Sequence, residues 1–519
     1  MADTTGPVRL RLAELVAVLS LGQDAAFGQP LESQLRGTLL AGWIGGAIGL
    51  SHADLTVAYW CGHLRYLGCT GHAHEVAGFF GDDIQARART LLYNAADPKA
   101  VLRDVVAHAA PDRRGLARVP AVASALAGGR RFAAMNFRTG CEVGDVLAQR
   151  LGMPDDVRHA LQFTFERWNG KGQPTGAAGQ AIPLPMRLVH LAQDVEVLAR
   201  QRDPASATAA VGERAGSAYD PGLARAVRPM LPELLRRLAE IEPWDGALAA
   251  EPRPHRTVAD PDLDEMLSIV ADFADLKSVY TAGHSRAVAD LAGAAAVRAG
   301  LAATDVERLR RAGLVHDLGR AGVPNSIWDK PGPLTRAERD RVRLHPLLTA
   351  QMLDRSPGLA TLLPTAGNHH EQPDGGGYPR GLDAGRLPFP DRLLAAADRY
   401  RGLRENRAHR PGLGRDEAAA MLRADARGGH VDPRAVECVL AADGHLPRRA
   451  DEVNPAALTG REMQVLGLLA RGSSTRAIAQ ELTISPKTAD THIQHIYLKI
   501  GCSTRGAAAL FAAQHGLLP

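Results

Sequence analysis

Aromatic residues are scarce in this chain of 519 residues: Phe, Trp and Tyr together make up 4% of it. Long alternations of Val, Ile, Thr and aromatic residues, the mark of half-buried strands, are absent, so almost no β-structure is expected. Cysteine is rare as well. The five cysteines (Cys61, Cys69, Cys141, Cys438, Cys502) are odd in number, scattered, and form no Cys-x-x-Cys pair. That excludes a disulfide scaffold and fits a reduced, cytoplasmic protein. Neither sign of charge dominates: 61 basic residues against 57 acidic ones leave a net charge of +4. Nucleic-acid binding cannot be argued from that total, and any such site must be local. Long apolar runs are missing too. No segment reaches the roughly 20 apolar residues that span a bilayer. The N-terminal stretch MADTTGPVRLRLAELVAVLSLG lacks a basic lead into a long apolar core with a cleavage site. The apolar segment Leu39–Leu50 is short and reads as a buried helix. No membrane association is expected.

What is abundant is Ala, Leu and Arg, a mixture that favours packed helices. The expected fold class is all-α. The length exceeds what one hydrophobic core usually holds, so two to four domains are expected. Two stretches rich in Pro and charge, Gly246–Asp262 and Leu446–Pro455, read as linkers. They divide the chain into residues 1–245, 246–445 and 456–519.

An internal repeat joins the first two parts. Glu166–Leu191 (ERWNGKGQPTGAAGQAIPLPMRLVHL) aligns without gaps on Glu371–Ala396 (EQPDGGGYPRGLDAGRLPFPDRLLAA). Both hold the Glu, a Gly-x-Gly-x-Pro-x-Gly core, an apolar-Pro-apolar-Pro stretch and an Arg-Leu. A duplicated domain follows, whose copies differ where chemistry is carried.

In the second copy, the helical pattern of Val306–Leu314 runs into Val315-His316-Asp317-Leu318-Gly319. The flanking apolar residues place the His-Asp pair at the edge of a core. Imidazole and carboxylate are the ligands expected for Fe, Mn or Zn. Neighbouring helical residues point about 100° apart, so such a pair can serve two metals, with the carboxylate between them. His369-His370 offers the same divergence on another element. Any single histidine here could be a packed or surface residue, and the Gly375-Gly376-Gly377-Tyr378-Pro379 stretch alone could be any turn.

Taken in order, His316-Asp317, His345-Pro346, His369-His370-Glu371 and Gly377-Tyr378-Pro379 resemble the HD-GYP family of phosphodiesterases. Supporting stretches match as well: Tyr280-Thr281-x-Gly283-His284-Ser285, Val323-Pro324-x-x-Ile327-x-x-Lys330-Pro331-Gly332 and Ala397-Asp398-Arg399-Tyr400. The likeness covers most of Leu276–Leu440. It implies a helical HD-superfamily domain that binds divalent metal ions, iron or manganese above all, and hydrolyses cyclic dinucleotides, chiefly cyclic di-GMP. The implied metal ligands are His284, His316, Asp317, His345, His369, His370 and Asp398. Tyr280 stands where members with three metals carry Glu, so two ions are expected. Asp317 and Arg320 are the implied catalytic groups, with Arg320 in the place of the family's usual Lys. Arg320, Tyr378, Arg407 and Arg410 are the implied substrate contacts. Ser278 and the Gln372-Pro373 pair depart from common family residues near the substrate.

Aligned on this domain, the first copy places Thr164 and Phe165 opposite the His369-His370 pair and Gln193 opposite Asp398. Leu64-Arg65-Tyr66-Leu67-Gly68 resembles the His-Asp stretch with Arg65-Tyr66 in its place, and near Glu32-Ser33 the first His is missing. Phe and Tyr do not hold a hard cation as carboxylates do. This copy is expected to keep the fold without the metal cluster, in a dimerising, regulatory or sensing role. His63, His72 and His74 lie off the family pattern.

Leu458–Leu518 reads as four short helices. Thr459-x-x-Glu462 is a capping box opening a helix that ends at Gly472. A second runs from Thr475 to about Leu482, and Ser485-Pro486 opens a third that reaches about Ile500. The fourth follows Ser503. The residues resemble the LuxR-type helix-turn-helix, in which the third helix enters the major groove of double-stranded DNA. Lys487, Thr488, Thr491, Gln494 and His495 are the candidates to reach DNA, with the acidic Asp490 among them. Their alternative is a plain solvent face. Modules of this kind pair as homodimers, which raises affinity through two half-sites.

The whole then reads as two HD-superfamily helical domains, the first degenerate, followed by a four-helix LuxR-type helix-turn-helix domain. The expected function is a metal-dependent cyclic-dinucleotide phosphodiesterase coupled to a DNA-binding output. The alternative is a regulator that binds the nucleotide and barely hydrolyses it.

Overall fold

The computed structural model describes residues 10–111, 118–444 and 456–518. The second stretch read as a linker, Leu446–Pro455, lies outside them. The chain divides into two compact units, Met1–Ala259 and Asp260–Pro519. Helices dominate both. Among the described residues the named strands are Leu10–Arg11 and Thr257–Val258, which pair antiparallel with Leu10 opposite Val258.

In the first unit the helices Leu12–Ala26, Ser33–Ala47, His52–Leu64 and Leu184–Gln201 surround a core of Leu15, Leu19, Leu35, Leu40, Ile44 and Val189. Each such side chain, fully buried, contributes about 1.5–3 kcal/mol. The apolar run read as one buried helix belongs to Ser33–Ala47, with the chain turning at Ile48–Leu50. The segment Gly246–Asp262 is ordered rather than a bare linker. It ends the helix Pro243–Ala249, supplies Glu251 as ionic partner of Arg11, and adds the strand Thr257–Val258.

In the second unit the helix His284–Arg298 packs against Ala303–Val315, Phe389–Arg404 and Pro433–Asp443. Small residues explain how so few aromatics suffice. Ala289, Ala292, Ala295 and Ala296 are fully buried, and a Cβ on Gly313 would lie 2.8 Å from the Ala289 Cα. Backbones meet where side chains would otherwise fill the gap.

The C-terminal helices are Gly460–Ala470, Thr475–Glu481, Pro486–Ile500 and Arg505–Gln514. Their starts follow the expected caps. Thr459 and Glu462 form the capping box, and the Ser485 hydroxyl accepts from the Thr488 amide at 3.0 Å. Gly501, at φ 69°, ends the third helix in the left-handed conformation that glycine adopts at little cost. Among the described residues the five cysteines form no disulfide. No described helix is long and apolar enough to cross a membrane.

Candidate metal centre

Six of the seven ligand candidates are presented from the end of a helix or from a turn. His284 is the first residue of its helix, behind Gly283 at φ 76°. His316 caps the helix Ala303–Val315, and Asp317 precedes the turn Leu318–Gly322. His345 opens the helix His345–Asp354. His369 and His370 follow the helix Leu363–Gly367, and Asp398 lies within Phe389–Arg404. Helix ends leave backbone carbonyls unpaired, and three of the histidines use them. Nδ1 of His316 donates to the Gly313 carbonyl at 2.7 Å, that of His345 to Val342 at 2.7 Å, and that of His369 to Ala366 at 2.6 Å.

A carbonyl can only accept, so Nδ1 carries the proton in all three rings, and Nε2 of the neutral ring carries a lone pair. These Nε2 atoms converge. Nε2 of His345 and His369 face each other at 3.1 Å, and the buried Nε2 of His316 has no hydrogen-bond partner. Two facing lone pairs and an orphaned buried acceptor are complemented by a cation. Asp317 lies between them. One of its oxygens is 3.3 Å from His345 Nε2 and 3.7 Å from His369 Nε2. The other is 3.5 Å from His316 Nε2 and 3.7 Å from His284 Nε2. Three groups of side chains have ligand atoms close enough to share an ion: His345 with His369 and His370; His284 with His316 and Asp398; His316 with Asp317 and His369. All seven expected ligands are therefore brought together, and the donor set fits a divalent metal of the Mn, Fe or Zn kind.

Charge states agree with that use. Burial lowers the pKa of His316 and of His369, and brings His370 to about 3, so these rings stay neutral. Burial would raise the carboxyls of Asp317 and Asp398. Arg320 holds Asp317 well below the usual range, and the hydrogen bond to His284 does the same for Asp398. His284 differs. Burial works against its charged form, but Glu405 and Asp398 outweigh it and raise its pKa to about 10.

Around the centre, Arg320 donates to Asp317 at 2.7 Å while its guanidinium lies 4.0 Å from the centroid of the Trp328 ring. The Tyr378 ring is 4.8 Å from that of His370, and the Arg343 guanidinium is 5.0 Å from Tyr378. Arg407 donates to Glu405 at 3.0 Å. Arg410 is placed otherwise than expected of a phosphate contact. Its guanidinium donates to the carbonyls of Gly402, Leu403 and Pro411, where it closes the end of a helix. Carbonyls left open at a helix C-terminus attract such a cation, which is why Arg410 turns inward. Sequence reasoning missed Glu405, Trp328 and Arg343. None belongs to a motif, and only the position of Glu405 two turns beyond Asp398 could have flagged it.

The first unit repeats this scaffold without its ligands. Glu32, at φ 76°, precedes Ser33 as Gly283 precedes His284. Asp24 accepts from the Gln34 amide at 3.1 Å as Asp275 accepts from Ser285 at 2.8 Å. A Cβ on Gly68 would fall on the Gly140 carbonyl, and one on Gly319 on that of His345. Glu166 accepts from the Thr175 and Gly176 amides, and Glu371 from those of Arg380 and Leu382. Ser33, Arg65, Tyr66, Gly140, Thr164, Phe165 and Gln193 thus occupy the seven ligand places. Tyr66 stacks on Phe27 at 3.8 Å, Phe165 lies 4.4 Å from Phe137, and the buried Arg65 guanidinium is 4.5 Å from the Tyr66 centroid. A cation on an aromatic stack stands where the second copy gathers imidazoles. His63 is buried, held neutral with its pKa lowered to about 3, and bonded to Ser20. Among the described residues, every group able to share an ion lies in the second unit.

On the helix Pro486–Ile500, Ala489, Ile493 and Ile496 face inward, while Lys487, Thr488, Thr491, Gln494 and His495 are exposed, as is Asp490. Of the basic residues nearby, Lys499 pairs with Glu462 and Arg505 donates to the Gly472 and Ser473 carbonyls. Arg476 and Lys487 remain on the surface.

Residues 268–435 match the HD domain family and residues 456–512 the family of bacterial regulatory proteins of the luxR type. The chain is 30% identical over 446 residues to the 3′3′-cGAMP-specific phosphodiesterase 3 of Vibrio cholerae, covering 85% of this chain and 96% of that protein. It is 31% identical to the cyclic di-GMP phosphodiesterase response regulator RpfG of Xanthomonas campestris, over 37% of this chain and 51% of the relative. A solved structure of the cyclic GMP-AMP specific phosphodiesterase V-cGAP3 of V. cholerae matches with a TM-score of 0.57 at 28% identity, covering 85% of this chain and 99% of its own. With a convergent histidine and aspartate centre in its second unit and a relative matched over nearly its whole length, the chain belongs to the HD-GYP family of metal-dependent cyclic-dinucleotide phosphodiesterases.

Proposed function

We propose that the chain hydrolyses a 3′,3′-linked, guanine-containing cyclic dinucleotide at a centre of two divalent ions, and that its C-terminal module binds DNA. The observation that carries the first part is the convergence of imidazole Nε2 atoms on both sides of Asp317. The three-residue groups on its two sides support two ions, with iron or manganese fitting a mixed imidazole and carboxylate set. Cyclic di-GMP is the substrate that the motifs imply. The relative that spans both units is named for 3′3′-cGAMP, which makes that nucleotide the first to test.

Bound metal would supply an activated water and neutralise charge on the phosphate. The chain's own groups do the rest. Asp317 stays ionised and holds its two oxygens toward opposite halves of the centre. Arg320, pinned between Asp317 and Trp328, offers a fixed cation for a phosphate oxygen. Arg407 supplies a second, and the half-buried Tyr378 a ring edge against a base or sugar. Arg410 serves by holding the turn that carries Arg407.

The second reading, a nucleotide sensor with little turnover, draws support from the same arginines: Arg407 is paired with Glu405 and Arg410 is occupied by carbonyls. Incubation of manganese- or iron-loaded protein with each nucleotide, followed by chromatography, separates the two. Release of linear product, absent in His316→Ala, supports the enzyme; tight binding without product supports the sensor.

The exposed polar face of the helix Pro486–Ile500 supports major-groove contact, and two modules in a homodimer would engage two half-sites. A cavity of about 910 Å³ supports coupling of the two activities. It is lined by Tyr280, Gly283 and Glu405 beside the metal centre and by Arg471, Gln514 and Leu518 of the C-terminal module. A mobility shift that weakens with salt, and a mass measurement in solution, test the DNA and dimer readings.

A further inference from the structure

We propose that Glu405 is a positioning residue that joins the two halves of the active centre, holding the ligand His284 on one side and the substrate cation Arg407 on the other. The substrate half of this rests on the phosphodiesterase reading above.

Glu405 follows the last residue of the helix Phe389–Arg404, two turns beyond Asp398, so both carboxylates lie on one face. They grip the same imidazole. The Glu405 oxygens lie 2.9 and 3.0 Å from His284 Nδ1, and an Asp398 oxygen lies 3.0 Å from its Nε2. The Glu405 side chain is 13% exposed and that of His284 1%. His316, His345 and His369 rest Nδ1 on neutral backbone carbonyls. His284 alone among these four rests it on a carboxylate. An anion there fixes the Nδ1–H tautomer, turns Nε2 to the metal and makes the ring a stronger donor.

The same carboxylate accepts from Arg407 at 3.0 Å. A guanidinium on a long, flexible stem is thereby held beside the centre instead of ranging through solvent. The silent copy carries an independent observation. Along the gapless alignment of Leu184–Gln201 on Phe389–Arg404, Arg200 stands in the place of Glu405, and its guanidinium donates at 3.1 Å to Ser33, the residue in the place of His284. Where the ligand is gone, the position facing it has changed sign. The intrahelical pair Glu196–Arg200 is the pair Arg401–Glu405 with its signs exchanged, and Ser33 also donates to Glu196 at 2.8 Å, so a carboxylate at the place of Glu405 goes with the copy that keeps the histidine.

The test uses the full-length protein and the variants Glu405→Gln, Glu405→Asp, Arg407→Ala and Glu405→Gln/Arg407→Ala. Manganese affinity is read by chelator competition, with circular dichroism as the check on folding. Glu405→Gln is expected to weaken manganese binding by about 10–100-fold, the usual effect of losing such a partner. Glu405→Asp restores part of it and Arg407→Ala leaves it unchanged. In steady-state hydrolysis of 3′3′-cGAMP at saturating manganese, Glu405→Gln and Arg407→Ala each raise KM more than they lower kcat. The double variant is no worse than Arg407→Ala alone. Unchanged manganese affinity in folded Glu405→Gln overturns the His284 contact. Multiplying KM effects overturn the Arg407 contact. Wild-type protein that takes up manganese and turns over no cyclic dinucleotide overturns the proposed function, while the affinity measurement, which needs no substrate, still decides the His284 contact.

Discussion

At the scale of single residues, the site works because a few polar atoms have nowhere else to go. His316 Nε2 is buried without a partner, and the Nε2 atoms of His345 and His369 face each other while both Nδ1 atoms are bonded to carbonyls. His284 sets the pH response. Folded and metal-free, it keeps its proton to about pH 10, whereas an unfolded histidine releases it near pH 6.5. The stability from this pairing is fully present below about pH 6.5 and is lost as pH rises through 10. The melting temperature of chelator-treated protein should therefore fall between pH 7 and pH 10, more steeply than in His284→Gln, and manganese should flatten the fall. A wild-type profile no steeper than that of the variant would refute this. Arg320 makes a separate prediction. Arg320→Ala removes a cation pinned beside the proposed phosphate site and should lower kcat/KM by about 10²–10³-fold. Arg320→Lys keeps the charge, loses the fork and the stacking on Trp328, and should fall between the two in the same assay. The seven ligand candidates could be picked out in the sequence because their spacing resembles that of a family. Glu405 and Trp328 were not, since each acts across a sequence separation that no local pattern encodes, and Arg410 misled because its helix end offers it better acceptors than solvent.

At the scale of elements, closeness of backbones decides where the ligands point. A Cβ on Gly319 would strike the His345 carbonyl and lie 2.7 Å from the Thr349 amide and 2.9 Å from the Leu348 Cβ. Gly319→Ala should cost about 1–3 kcal/mol in urea unfolding, as overpacking does, and should lower metal content with it. Gly332 has open space around it, and Gly332→Ala should stay within about 0.5 kcal/mol. Equal effects at the two positions would contradict the packing account. The short helices of the C-terminal module could be read from their caps, because Thr459, Ser485 and Gly501 act within one turn of themselves. The strand at Thr257–Val258 could not. Two residues carry no period, and their partner Leu10–Arg11 lies at the far end of the unit. The place of His345 in the silent copy was hidden for a like reason: Gly140 lies inside the 33-residue helix Arg118–Arg150 and is set by its contact with Gly68.

At the scale of the whole molecule, one fold is used twice with opposite fillings, imidazoles around a carboxylate in the second unit and aromatic rings with a buried guanidinium in the first. Residues 456–512 match the luxR-type regulatory family. Removing residues 456–519 should abolish salt-dependent binding to promoter DNA and leave hydrolysis in place, as measured by mobility shift and by product release on the same preparation. The duplication was legible from the Gly and Pro framework of Glu166–Leu191, and the purpose of the silent copy was not, since loss of ligands states only what it no longer does. The most direct test of the central claim is chromatography of 3′3′-cGAMP after incubation with manganese-loaded full-length protein and with His316→Ala. The account predicts linear dinucleotide from the wild type, none after chelation, and at least a hundredfold less from the variant, in line with the loss of a metal that activates water (~10² or more). Intact cyclic nucleotide after incubation with fully loaded wild type, or equal product from His316→Ala, would contradict it.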